Sequence, residues 1–196
     1  MRTKAGFGVK TTVRDSIFIA LFAALTAVGA FIKIPTPIVP FTLQFLFCTY
    51  AGLLLGARNG LYSQLLYMFI GLIGIPIFTN GGGPAYVLQP TFGYLIGFAL
   101  CTYIVGRFVD RAAEVRFWPV FSAILLGLGA VYLCGVSYLH LIVNLYLHKD
   151  MTLATSLLVG FVPYAPFDLL LAVIIALTSL RIVPILRRAG YLKRAR

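Results

Sequence analysis

The basic residues of this chain fall in clusters separated by long, almost uncharged apolar intervals, and that spacing constrains the fold more than any motif does. Fourteen of the sixteen Lys and Arg residues lie near the N-terminus (Arg2, Lys4, Lys10, Arg14), at Arg58, between Arg107 and Arg116, and from Arg181 onward. Lys and Arg are retained on the cytoplasmic side of membrane helices. An even number of crossings puts all fourteen on that side and leaves only Lys33 and Lys149 opposite. Five or seven crossings would place the C-terminal cluster outside. The pattern predicts an all-α membrane protein of six transmembrane helices, with both termini cytoplasmic, in a bacterial inner or plasma membrane.

Composition supports this. The chain is 61% hydrophobic and 11% charged, whereas soluble domains average about 25% charged residues. Six helices of about 20 residues use most of the length, so 1–196 is expected to be one membrane domain with basic cytoplasmic tails at 1–15 and 184–196. A net charge of +11 could suggest nucleic acid, but these charges flank apolar segments rather than forming a solvated face. Cys48, Cys101 and Cys134 stand inside apolar segments at spacings of no metal or redox motif. The first apolar run resembles a signal peptide, yet further spans follow it directly, so it is expected to stay as helix one.

The expected helices are Ser16 to Ile32, Phe41 to about Ala57, Asn59 or Gly60 to about Pro76, Thr91 to about Val109, Phe117 to about Tyr138, and about Phe167 to Val183. Between the first two, Pro35, Pro37 and Pro40 rule out regular helix. An uncharged loop runs from Thr79 through Gly81, Gly82 and Gly83 to Pro90. The stretch from His140 to Met151 could extend helix five or lie at the interface, and Thr152 to Phe161 could form a short helix before Pro163 and Pro166.

Both Pro/Gly-rich loops and the Pro163–Pro166 break fall on the outer face. Irregular backbone near lipid persists where protein buries it or water reaches it, so an outward-opening cavity is expected. Asp168 is the one ionisable residue well inside an apolar interval. A carboxylate there needs a partner or a polar cavity; it could cap helix six, bind a ligand, or do both. Gln89, Thr91, Asn80 and Tyr86 surround the glycine loop, and Gln44 begins helix two. Such amides and hydroxyls recognise a ureido or amide group by paired hydrogen bonds, or serve as local caps and turns. The glycine loop lacks the following Lys-Ser/Thr of a phosphate loop. His140 and His148 have no set of carboxylates or thiols, so no metal site and no catalytic residue is expected. On helix one, Ala20, Ala23, Ala24 and Ala27 form a small-residue face, suited equally to packing in the bundle and to docking a partner.

Several segments together resemble the BioY family, the biotin-specific substrate-binding (S) subunit of energy-coupling-factor (ECF) transporters. They are Ile34 to Gln44, Ala51 to Gly56 with Arg58, Gly71 to Pro76, Gly81-Gly82, Gln89 to Phe98, and Val162 to Leu170. Each is weak alone; in order and at matching topology they are specific. The resemblance implies an ECF S-component-like bundle that binds biotin from outside in a pocket beneath the first loop, lined by helices four to six. Its candidate binding residues are Asp168, Gln89, Asn80, Tyr86, Thr91, Tyr94, Gln44 and Tyr164. It also implies docking of a transmembrane coupling subunit on Ala20 and Ala24, with ATP hydrolysed by two partner ATPase subunits and no cofactor in this chain.

Two departures stand out. Phe167 and Leu171 occupy positions where the family commonly has Gly and Lys, and Gln89 and Phe92 stand where glycines are common. Lys33, hydroxyls or backbone amides could replace the missing cation, and Gln89 could supply part of the polar recognition. The substitutions leave open an S subunit for another small vitamin, or a facilitator acting alone. A small membrane enzyme using Asp168 and a histidine lacks a second placed catalytic residue.

Overall fold

In the computed structural model, which describes residues 12–34, 38–112 and 114–190, helices account for most of the described residues. They are α1 (Val13–Phe31), α2 (Gln44–Leu72), α3 (Phe92–Arg111), α4 (Phe117–Leu141), α5 (Leu153–Gly160) and α6 (Ala165–Arg188). Two short strands, β1 (Lys33–Ile34) and β2 (Phe41–Thr42), form an antiparallel hairpin.

The second and third expected helices are joined without a loop inside α2. Gly56 has φ 76° and ψ 177°, a break within the helix. Two contacts show that the chain reverses there: the Gln44 side chain reaches Tyr67, and the backbone at Gly60 lies against Ala51. Each pair is nearly symmetric about residue 56, so the arms 44–55 and 57–72 run antiparallel and make two passes. Only glycine adopts that φ without steric cost. Asp110 of α3 completes the reversal by accepting the Ala57 N–H at 3.0 Å, a cap for the second arm. The expected Asn59/Gly60 start is therefore moved back to Ala57, because the cap comes from another helix.

With α1, α3, α4 and α6, which are long and apolar enough to cross a membrane, the two arms complete six passes. The cytoplasmic ends converge: Arg187 donates to the Val109 carbonyl at 2.8 Å, and Arg14 to the Gly190 carbonyl at 3.2 Å. The chain is a multi-pass membrane protein.

Three boundaries differ from expectation for local reasons. A capping box, in which Thr12 Oγ1 accepts from Asp15 N and Asp15 Oδ2 from Thr12 N, starts α1 at Val13. The tail expected from 184 is helical through Arg188, with Pro184 inside α6. α4 continues to Leu141 and then passes into a π-helical turn, Ile142–Tyr146. The expected short helix before Pro163 is α5, capped by Thr152. The tail residues Arg2, Lys4, Lys10, Lys193, Arg194 and Arg196, and Pro35 to Pro37 of the first loop, lie outside the described residues.

Lipid does not drive helices together as water does, so close backbone approach matters. A Cβ on Gly52 would lie 2.5 Å from the Thr102 carbonyl oxygen, and one on Gly106 2.4 Å from Ala57 N. Small residues thus set the α2–α3 contact. Toward the outer end the helices separate around a cavity.

Candidate functional site

The cavity has about 550 Å³ of empty space, a figure that includes the open solvent at its mouth. Its wall combines the hairpin (Val39 to Thr42), the start of α2, the outer loop at Thr79 and Tyr86, and side chains of α3, α4 and α6. The middle is apolar, built from Phe45, Leu95, Phe98 and Val131.

One polar group is the Asp168–Tyr132 pair. Asp168 lies in the first turn of α6, whose N-cap position is Tyr164. The carboxylate does not cap the helix; its Oδ2 accepts a short hydrogen bond from the Tyr132 hydroxyl of α4. Among the described residues no donor reaches its other oxygen, Oδ1. Asp168 is 8% exposed and lines the cavity. A buried carboxylate with one oxygen unpartnered by protein is equipped to accept a ligand N–H. Tyr94 stands beside it, its hydroxyl donating to the Gly160 carbonyl at 2.8 Å, which ties the end of α5 to α3.

The second polar group is centred on Gln44. Its Oε1 accepts from Thr42 Oγ1 at 3.0 Å and Thr79 Oγ1 at 3.3 Å. Its Nε2 donates to Tyr67 Oη at 3.0 Å, and Tyr67 donates on to the Ile77 carbonyl at 3.1 Å. One amide therefore holds the hairpin, both arms of α2 and the outer loop in register. Tyr86 and Thr91 form a third polar contact, hydroxyl to hydroxyl at 3.1 Å. Thr91 occupies the N-cap position of α3 but makes no side-chain capping bond; its hydroxyl serves the cavity wall instead. Burial raises the Tyr86 phenol above its ordinary range, so it stays protonated.

Asp168, Gln44, Tyr86, Thr91, Tyr94 and Tyr164 thus line one cavity. Asn80 and Gln89 do not: both are exposed and neither belongs to the wall. The Gln89 backbone closes the 3₁₀ turn Pro84–Leu88, its N–H donating to the Tyr86 carbonyl at 3.0 Å. That turn directs Tyr86 inward and leaves Gln89 outside the cavity wall. Sequence reasoning missed Tyr132, Thr42 and Thr79. Nothing local marks Tyr132 within the apolar run of α4, whereas Thr42 and Thr79 stood within segments already singled out.

On α1, Ala20 and Ala24 are exposed beside Ile17 and Val28, whereas Ala23 is buried. The small-residue face is thus divided between bundle packing and an outward surface. Among the described residues no three His, Cys, Asp or Glu side chains cluster as a metal site would require.

Comparisons with known proteins agree with this architecture. The model of the BioY family matches residues 1–188. The "Probable biotin transporter BioY" of Lysinibacillus sphaericus is 49% identical over 177 residues, covering 90% of each chain. The "Biotin transporter BioY" of Thermotoga maritima is 40% identical over 171 residues, covering 87% of this chain and 96% of the relative. A crystal structure described as the S-component for biotin from an ECF-type ABC transporter superposes with a TM-score of 0.78 at 24% identity, covering 96% of this chain and all of that one. At that identity the likeness is one of fold.

Proposed function

The chain belongs to the BioY family, and from that premise we propose that it captures biotin in the outer cavity as the first step of biotin uptake. Asp168 carries the reading: a buried carboxylate whose Oδ2 is held by Tyr132 and whose Oδ1 has no donor among the described residues. Biotin is a cyclic urea fused to a sulfur-containing ring, with an aliphatic acid tail. A ureido N–H donates to Asp168 Oδ1, the fused rings lie against Phe45, Leu95, Phe98 and Val131, and hydroxyls near Tyr86 and Thr91 complete the polar contacts. Pairing the carboxylate with a matched donor offsets the cost of keeping it away from water.

In this reading the chain binds and does not catalyse. Energy for transport comes from ATP hydrolysed by partner subunits, which reach this chain through a transmembrane coupling subunit. The exposed Ala20–Ala24 face of α1 supports that assignment, since small residues one turn apart let a partner helix approach closely.

The deciding experiment is equilibrium binding of radiolabelled biotin to the detergent-purified protein, with riboflavin and thiamine as competitors. Tight binding displaced only by biotin is expected. A dissociation constant no better than millimolar would sink the proposal, and displacement by another vitamin would reassign the ligand.

A further inference from the structure

Lys33 is exposed and is not itself part of the cavity wall, but it contacts a wall residue, and its placement bears on how the acid tail of the ligand is read. In the β1–β2 hairpin Lys33 lies directly opposite Thr42. Directly paired residues of an antiparallel ladder project from the same face, so Lys33 leaves the hairpin on the side of Thr42, which lines the cavity. Its Nζ donates to the backbone carbonyl of Thr79 at 2.6 Å, and Thr79 is also a cavity residue. The ammonium is therefore tethered to one wall residue, beside the strand that carries another.

That contact uses one of three donors and leaves the positive charge uncompensated, because a carbonyl is a neutral acceptor. Among the described residues the salt bridge present is Arg116–Glu114, at the opposite end of the bundle. The first loop beyond Ile34 brings no acid either, reading Pro35-Thr36-Pro37. Among the described residues, the one charged residue in the cavity wall is Asp168. It repels an anion, so a ligand that offers N–H groups to Asp168 turns its carboxylate away from it.

We propose that Lys33 is the specificity residue for the ligand's carboxylate: the ammonium held at Thr79 receives the acid tail and makes the site prefer a carboxylic acid to its neutral amide. This rests on the biotin-capture reading above.

The test compares biotin with biotinamide, which keeps the ring system and lacks the anion, on purified full-length protein by equilibrium dialysis. The wild-type protein should bind biotin about tenfold more tightly than biotinamide, the scale of one charge-assisted hydrogen bond. Lys33→Met should lose that preference while holding biotinamide within about twofold, which also reports that it is folded. Lys33→Arg should keep the preference. Equal wild-type binding of biotin and biotinamide would overturn the assignment while leaving biotin capture intact. A Lys33→Met variant that weakens both ligands equally, or binds neither, would overturn it too and mark the contact with Thr79 as a structural latch. Wild-type protein that binds neither ligand would overturn the capture reading and this one together.

Discussion

The Tyr132 hydroxyl donates to Oδ2 of Asp168 and so joins α4 to α6 within the cavity wall. The pair is formed by residues 36 positions apart, and it leaves one carboxylate oxygen for a ligand. Its two members should therefore be separable by mutation.

Asp168→Ala should weaken biotin binding roughly tenfold to a hundredfold, the range expected for losing a hydrogen bond to a charged acceptor. Tyr132→Phe should weaken it less, by about fivefold, because Oδ1 remains while its orientation loosens. Equilibrium dialysis ranks the two; an Asp168→Ala protein with unchanged affinity removes the carboxylate from recognition.

The exposed and the buried amides should behave oppositely. Gln89→Ala and Asn80→Ala should each leave affinity within about twofold. Gln44→Ala breaks contacts to Thr42, Thr79 and Tyr67 at once. A loss of about tenfold in affinity and a lower melting temperature in detergent are expected. Titration of the three purified variants with biotin would check the contrast.

Gly135 faces the ring of Tyr94, where an added Cβ would lie 2.4 Å from ring carbons. Tyr94 is held by its bond to the Gly160 carbonyl and cannot retreat freely. Gly135→Ala should push the ring into the cavity at a cost of about 1–3 kcal/mol. Biotin affinity should fall while the protein still elutes as a folded species on size exclusion.

At the other end of the bundle, Gly56→Ala meets both a positive φ and the Asp110 carboxylate, with Oδ1 2.4 Å from the new Cβ. A destabilisation of about 1–3 kcal/mol is expected. Asp110→Ala removes a cap and should cost about 0.5–2 kcal/mol. Thermal unfolding in detergent reads both, and biotin affinity of the folded fraction should not change, since neither residue lines the cavity.

Ala20→Trp or Ala24→Trp fills the exposed face of α1 without touching the cavity. Biotin binding by the purified variant should match wild type, while uptake by cells that contain the coupling module should drop to background. Uptake unaffected by either change would dissociate this surface from the partner.

Several features were legible in the chain because they follow from local chemistry. The clustering of Arg14, Arg58, Arg107 and Arg187 with apolar intervals between them follows the cost of moving cations through lipid. The prolines and glycines between α1 and α2 and before α3 follow from backbone stereochemistry. Asp168 drew notice for the same reason, as a charge in an apolar interval. Other features depended on distant partners. The reversal at Gly56 requires Asp110 from α3, so its position was expected a few residues late. Thr91 reads as a helix cap until Tyr86 is seen to take its hydroxyl. Gln89 and Tyr86 are three residues apart, and only the 3₁₀ turn decides which of them faces the cavity.

By itself the sequence determined solvent, orientation and the number of passes, because hydrophobic transfer and charge retention act segment by segment along the chain. It also indicated which face carries the irregular loops. The tertiary structure alone decided which polar side chains meet. A hydrogen bond such as Tyr132 to Asp168, or Lys33 to Thr79, requires two groups within about 3 Å, and that separation is set by how the helices pack and where α2 folds back, not by distance along the chain.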